Sequence, residues 1–201
     1  MKKYTPTEKR VITAAIERYQ AETMKHIYII EGDAETGTKQ IRNKIAEHCK
    51  YRGRPPVVVI DYLQIMAPAD IRATDKQNID KAVKELRQMS RDFKTPVIAI
   101  SSFNRESYDK ESSMKAFKES GAIEYSADAL ISLSLYGVGK KSNNKKLTTK
   151  ECKNKNPREV VAEVIKNRNG KTGDHGKFLY YPQFNYFVET DIFATKLDKE
   201  D

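Results

Sequence analysis

A run of apolar residues that ends in an acid constrains the fold of this chain more than any other segment. Residues 57–60 are Val-Val-Val-Ile, and Asp61 follows them directly. An apolar run without polar alternation is typical of a parallel strand that is buried on both faces. A carboxylate where such a strand leaves the sheet can hold Mg²⁺ beside the phosphates of a nucleotide. The segment is also compatible with a core strand that ends in a turn aspartate.

The composition narrows the class of protein. A length of 201 residues fits one domain with a buried core, with or without a small appendage. Charged residues make up 32% of the chain, and no apolar run approaches the roughly 20 residues that a membrane span requires. No signal peptide opens the sequence, and Cys49 and Cys152 lack metal-ligand spacing. We therefore expect no membrane contact and a cytoplasmic location.

Positive charge is concentrated in one segment. The net charge is +9, and between Gly137 and Pro157 there are seven lysines against one acid, which supplies +6 of that excess. The lysines are Lys140, Lys141, Lys145, Lys146, Lys150, Lys153 and Lys155. The segment has almost no apolar residues, so we predict a mobile loop or hairpin. It either contacts a nucleic-acid backbone or is only solvated.

Capping signals and helical periodicity predict three long helices. Thr5 and Glu8 form a capping box, and the helix that follows should reach about Thr23. Its predicted core face consists of Val11, Ile12, Ala15, Ile16 and Tyr19. A second helix is expected over residues 38–51, with Ile41, Ile45 and Cys49 at four-residue steps. A third begins after the capping box of Thr74 with Gln77, and it should end near Phe93.

Apolar runs between these helices predict the strands. Residues 27–30 and 97–100 read as short strands, the latter buried, and residues 127–135 and 160–165 as longer strands. Residues 177–181 and 186–188 read as a closing hairpin. Strand, helix and strand in alternation with short links predict an α/β fold with a parallel sheet and right-handed crossovers.

A glycine-containing turn comes close to a phosphate-binding loop. Gly32, Gly37 and Lys39 lie between a predicted strand and a helix. A Walker A loop has lysine directly after the second glycine and then Ser or Thr, because the lysine reaches the phosphates and the hydroxyl binds Mg²⁺. Here Thr38 intervenes and Gln40 follows the lysine. The spacing favours an ordinary turn over a nucleotide site.

The residues after Asp61 carry a family resemblance. Asp-Tyr-Leu-Gln followed by Ile-Met resembles the Walker B segment of the DnaB family of replicative ring helicases. The resemblance implies a RecA-like P-loop NTPase core, with a mostly parallel sheet flanked by helices and a C-terminal β-hairpin. It also implies ATP and Mg²⁺ as cofactors, with Asp61 as the catalytic carboxylate that holds the metal.

Two later segments extend the resemblance. Residues 101–105 match a segment that senses the nucleotide, with Ser102 where the family usually has glutamine and with Asn104 in common. Residues 118–124 match a loop that faces the central channel of the ring and holds single-stranded DNA. The DNA-binding residues implied or expected are Arg105, Lys118, Glu119, Gly121, Lys140, Lys141, Lys145 and Lys146. Lysine at position 118 keeps the charge of the family's usual arginine but loses its bidentate fork.

A fourth match follows the strand at residues 160–165. Lys166 and Arg168 stand where the family has a Lys-x-Arg that reaches into the ATP site of the neighbouring subunit. Such a finger stabilises charge on the transferring phosphoryl group and raises kcat on the order of a thousandfold or more. Read alone, the segment is a basic turn, because Asn169-Gly170 favours a tight turn.

The four matches together predict one incomplete RecA-like helicase C-terminal domain over residues 1–201, with a polar tail at 189–201. The Walker A segment and the catalytic glutamate strand of the family have no counterpart in the sequence, so we expect an ATP-dependent helicase motor that does not hydrolyse ATP alone. Expected partners are single-stranded DNA and other subunits of a hexameric ring. A non-enzymatic single-stranded DNA-binding or ring-modulating module is the alternative, and an unrelated α/β protein is a third.

Overall fold

The chain divides into two compact units, one up to Ala34 and one from Glu35 onward. The computed structural model describes residues 4–102, 121–139, 141–142, 145–173 and 175–191. The first unit contains helix α1 (Pro6–Glu22) and a 3₁₀ turn (Met24–His26). All β-strands of the described residues belong to the second unit.

Helix α1 begins and ends as predicted. The Glu8 carboxylate accepts a 2.7 Å hydrogen bond from the Thr5 backbone N–H, and the Thr5 hydroxyl accepts one from the Glu8 N–H at 3.3 Å. The prediction of a core face was wrong, because α1 buries none of its residues and Val11 is 62% exposed. One helix and a short turn offer no second layer within their unit against which an apolar stripe can pack.

The strand predicted at residues 27–30 was also wrong. These residues have no regular secondary structure, and Ile29 is 87% exposed. A strand exists only where a neighbouring strand satisfies its backbone groups. No such neighbour pairs with residues 27–30 among the positions that the structure describes.

A strand–helix–strand unit forms the centre of the second part. Helix α2 (Thr38–Arg52) precedes strand β1 (Val58–Ile60), and helix α3 (Asp75–Phe93) connects β1 to strand β2 (Val97–Ala99). The two strands are parallel, with Val59 opposite Ile98. The capping box at Thr74 is present, so the predicted start of α3 is confirmed.

The core lies between the helices and one face of this strand pair. Its buried members are Ile45, Ile60, Leu63, Leu86 and Met89. Ile41 and Cys49 pack against them, which confirms the predicted apolar stripe of α2. Met89 of α3 is the most deeply buried of these five residues, at 1% exposure.

The opposite face of the strand pair is open in the described residues. Val57 and Val59 are each 62% exposed, and Ile98 and Ile100 are 53% and 46% exposed. The prediction that both strands are buried on two faces was therefore wrong. The core residues of α2 and α3 pack on the face that carries Val58 and Ile60, and side chains alternate between faces along a strand.

A four-stranded antiparallel sheet completes the second unit, in the order β3-β6-β7-β8. Its strands are β3 (Ala129–Leu135), β6 (Arg158–Asn167), β7 (His175–Tyr181) and β8 (Tyr186–Glu189). The predicted closing hairpin is confirmed by the pairing of Tyr181 with Tyr186. A parallel strand pair with flanking helices and antiparallel hairpin strands agree with the predicted α/β class, although most of the described strands lie in the antiparallel sheet.

The lysine-rich segment between β3 and β6 contains a short hairpin. Strands β4 (Lys141–Ser142) and β5 (Lys145–Lys146) pair antiparallel. Helix α5 (Thr149–Lys153), which composition did not predict, follows and buries Cys152 to 2% exposure. Lys155 then forms a 2.6 Å ion pair with the buried Glu159 of β6. The last part of the segment is thus fixed to the sheet.

Candidate functional site

Asp61 lies where β1 ends, as the sequence predicted. The residue before it, Ile60, is buried, whereas Asp61 itself is exposed. A 3₁₀ turn (Leu63–Ile65) follows, and its Leu63 N–H donates a 2.9 Å hydrogen bond to the carbonyl of Ile100 after β2. The buried Leu63 anchors the turn in the core, so the carboxylate is presented to solvent from a fixed segment.

Gln64 connects the turn after Asp61 to the end of β2. Its Nε2 donates to the Ser101 Oγ at 2.9 Å, and its Oε1 accepts from the Ser102 N–H at 3.4 Å. The carboxyl ends of adjacent parallel strands meet at one edge of a sheet, and ligands of open α/β sheets bind there. Asp61, predicted to hold the metal, and Ser102, predicted with Asn104 to sense the nucleotide, therefore lie along the same edge.

Asp61 places a carboxylate at this edge of the sheet. The described residues contain no group of three or more His, Cys, Asp or Glu side chains placed to hold a metal. Mg²⁺ commonly takes only one or two protein carboxylates and completes its octahedron with water and substrate phosphates. Asp61 could supply such a carboxylate.

The glycine-containing turn before α2 is packed against the segment that follows Asp61. The Ala67 N–H donates to the Thr36 carbonyl at 3.1 Å, and a Cβ on Gly37 would lie 3.3 Å from the Ala67 oxygen. The Thr38 hydroxyl is buried and donates to the carboxylate of Glu85 on α3. These contacts agree with an ordinary helix-starting turn, in which the hydroxyl already has a protein partner.

Lys166 is half-buried and contacts the end of a short helix. Helix α4 (Gly121–Ser126) precedes β3, and the Lys166 ammonium donates to the carbonyls of Glu124 and, at 2.9 Å, of Ala127. The last carbonyls of a helix lack intrahelical partners and carry partial negative charge, so a cation binds there favourably.

Arg168 binds the same helix end through a second set of contacts. Its guanidinium donates to the Tyr125 carbonyl at 2.6 Å and to the Asp128 carboxylate at 2.9 Å. The Arg168 backbone N–H also donates to the Asp128 carbonyl at 2.9 Å. Both predicted finger residues are thereby brought together at the C-terminal end of α4.

Other predicted site residues have limited or no description. Asn104, Arg105, Lys118, Glu119 and Lys140 lie outside the described residues. Gly121 begins α4, while Lys141, Lys145 and Lys146 belong to the β4–β5 hairpin.

Sequence reasoning missed three residues that hold the site in place. Gln64 was read only as part of a motif, and Glu85 was given no role in the site. Asp128 was not considered at all, although an acid near the start of a predicted strand could have been paired with the basic turn at Lys166 and Arg168. Their signals are weak in sequence because each partner lies 37 or more positions away.

The comparison with protein families decides the relationship. Residues 5–189 match the family described as DnaB-like helicase C terminal domain. This chain belongs to that family. The resemblance inferred from the motifs is therefore confirmed for the DnaB family and its RecA-like fold.

Two DnaB-family relatives illustrate the extent of the match. The replicative DNA helicase DnaC of Bacillus subtilis is 31% identical over 140 residues, which are 67% of this chain and 28% of that protein. The replicative DNA helicase DnaB of Mycoplasma genitalium is 29% identical over 178 residues, or 85% of this chain and 36% of that protein. The chain thus spans about a quarter to a third of these DnaB-family proteins.

Solved structures show the same fold. A DnaB-like replicative helicase, whose interactions with primase were described with it, gives a TM-score of 0.74 at 21% identity and covers 93% of this chain and 43% of its own. A second solved structure, described as an ATPase domain, gives a TM-score of 0.73 at 22% identity, with 94% of this chain and 62% of its own covered. Among the described residues of this DnaB-family chain, no helix combines the length and apolar character needed to cross a membrane.

Proposed function

We propose that this chain is part of the ATP-driven motor of a replicative DNA helicase and supplies finger residues to a neighbouring subunit. In this proposal Asp61 holds Mg²⁺ at the carboxyl edge of the parallel strands in its own subunit. Lys166 and Arg168 reach the phosphates of ATP that is bound to the neighbouring subunit. The proposal rests on the placement of these residues at the ends of strands in two separate sheets. Asp61 follows β1 of the parallel pair, whereas Lys166 and Arg168 lie at the end of β6 in the antiparallel sheet.

Charge complementarity supports a role for the two cations. Phosphoryl transfer develops charge on the transferring group, and a positioned Arg or Lys stabilises that charge. A guanidinium is suited to this task because its planar fork binds phosphate oxygens in pairs. Lys166 adds a point charge beside it. Head-to-tail contacts in a ring would bring this pair to the Asp61 edge of the next subunit.

ATP hydrolysis by this chain alone is not part of the proposal. No Gly-x-x-x-x-Gly-Lys-Ser/Thr pattern occurs in its 201 residues. Most backbone donors that cradle phosphates in P-loop enzymes come from that pattern. The chain would therefore act with a subunit that contains a complete phosphate-binding loop.

A mixed-ring assay tests the proposal. The helper is a complete DnaB-family helicase in which the arginine of its own Lys-x-Arg finger is replaced by alanine, so that every finger must come from this chain. We expect the wild-type chain to raise ATP turnover and the Arg168→Ala chain to lose that gain. The Glu47→Gln chain, which loses only the exposed ion pair of Glu47 with Lys44, is the matched control. No gain with the wild-type chain would overturn the proposal.

A non-enzymatic single-stranded DNA-binding role is the second candidate, and the local charge of +6 between Gly137 and Pro157 favours it. Phosphate contacts by lysines release counterions, so affinity should fall steeply with salt. Deletion of residues 140–146 should then abolish binding, and EDTA should leave it unchanged. Binding that requires Mg²⁺ and ATP would instead favour the motor.

A further inference from the structure

We infer that Asp128 is a positioning residue for Arg168, and that the C-terminal end of α4 holds Lys166 and Arg168 in the position from which they act. This inference rests on the function proposed above and assigns a role to residues outside the matched motifs. Lys166 and Arg168 together donate to the carbonyls of Glu124, Tyr125 and Ala127 and to the Asp128 carboxylate. A turn that was only basic and solvated would not converge on one helix end.

The backbone fixes the distance between Asp128 and Arg168. Ala129 pairs with Asn167 in the antiparallel ladder, and the Arg168 N–H to Asp128 carbonyl bond extends the ladder by one step. Opposed residues of a ladder keep a defined spacing. The carboxylate therefore meets the guanidinium from a rigid backbone, and the side chain needs no induced movement to be oriented.

The contacts leave both cations able to bind a phosphate. A guanidinium has five N–H donors and an ammonium has three. The protein contacts described above use two on each. Because the Arg168 side chain is 37% exposed, its remaining donors can reach a ligand while Asp128 and Tyr125 hold the group. These contacts orient Lys166 and Arg168 and still leave N–H donors on each side chain for a ligand.

Helix α4 also connects the fingers to the core beneath Asp61. Ile123 of α4 packs against the cluster that contains Ile60 and Leu63, the buried residues on either side of Asp61. A displacement of α4 would thus change the positions of both Arg168 and the segment that carries Asp61. Gly121, the first residue of α4, is itself one of the predicted DNA-contact residues, so DNA binding and finger orientation would share this helix.

The test uses the mixed-ring assay with variants at Asp128, whose side chain is 69% exposed and is expected to tolerate substitution. We expect Asp128→Asn to lower kcat by about tenfold to a hundredfold, because misplacement of a catalytic group costs on that order. The KM for ATP should stay unchanged, since the binding loop belongs to the helper. Asp128→Glu should recover part of kcat, and Glu47→Gln should behave as wild type.

The outcomes separate this inference from the proposed function. If the wild-type chain gives no gain in turnover, the proposed function fails first and the positioning role falls with it. If Arg168→Ala removes the gain but Asp128→Asn keeps full kcat, the function stands and the positioning role is refuted. A fall in kcat for Asp128→Asn matched by a fall in melting temperature, without recovery by Asp128→Glu, would also refute it, because Asp128 would then be purely structural.

Discussion

The Nε2 of Gln64 donates a 2.9 Å hydrogen bond to the Oγ of Ser101 across the carboxyl edge of the parallel strand pair. The same side chain accepts from the Ser102 N–H. One amide therefore joins the turn after Asp61 to the segment that carries the predicted nucleotide sensor.

Replacing Gln64 should loosen this connection. Gln64→Ala removes two exposed hydrogen bonds, each worth about 0.5 to 1.5 kcal/mol, so we expect the free energy of unfolding to fall by about 1 kcal/mol, the lower end of their sum. Ser101→Ala should cost less, because the Ser102 contact remains. Urea denaturation of both single variants and the double variant measures the coupling. Strictly additive effects would show that the bridge does not form in solution.

Thr95 connects the beginnings of the two parallel strands. Its hydroxyl donates to the Pro56 carbonyl at 2.5 Å, and the residue is 5% exposed. Thr95→Val keeps the shape but leaves that carbonyl without this donor, so we expect a loss of about 1 to 3 kcal/mol in unfolding free energy. Thr95→Ser retains the hydroxyl and should cost only about 0.8 kcal/mol for the lost carbon. A valine variant as stable as wild type would contradict the expectation.

The pH dependence of stability should have a component from Asp92. The Arg42 guanidinium, followed by the Gln88 amide, holds the pKa of Asp92 below its ordinary value. A carboxyl with a lowered pKa in the folded state stabilises above its unfolded pKa, and that contribution is lost as the pH falls through the folded pKa. The loss should therefore begin below about pH 4. Carboxyl titration by NMR should give a higher pKa for Asp92 in Arg42→Met, and an unchanged value would refute the pairing.

The two cysteines should differ in reactivity. Burial raises the pKa of the Cys152 thiol, and the residue is only 2% exposed, whereas Cys49 is half-buried. Because the thiolate is the reactive species, we expect Cys49 to be labelled by a disulfide reagent at pH 8 on the order of tenfold faster. Cys49→Ala should leave one slow phase, and unfolding in guanidinium should make the two thiols alike. Equal rates in the native protein would contradict the burial of Cys152.

Local signals predicted the three long helices well and the burial poorly. The capping boxes at Thr5 and Thr74 and the four-residue steps of Ile41, Ile45 and Cys49 act within a few positions, so the sequence contains them in full. Whether Val11 or Val59 is covered depends on elements far along the chain. An apolar pattern states which face can be buried but not which layer covers it.

The residues of the candidate site likewise fall into those that local motifs predict and those that only distant contacts bring in. Asp61, Lys166 and Arg168 were predicted because each lies in a continuous motif that resembles a segment of the DnaB family. Asp128 lies 40 positions from Arg168, and Gln64 lies 37 positions from Ser101. Such contacts arise from strand pairing, which a single sequence does not specify.

The open face formed by Val57, Val59, Ile98 and Ile100 has a calorimetric consequence. The heat capacity rises on unfolding because apolar groups become hydrated, by about 12 to 15 cal/mol/K per residue in ordinary domains. These four side chains are already 46% to 62% exposed in the folded chain, so they contribute less to that rise. The free energy of unfolding should accordingly vary less steeply with temperature than the chain length suggests. Its curvature should increase once a partner covers this face.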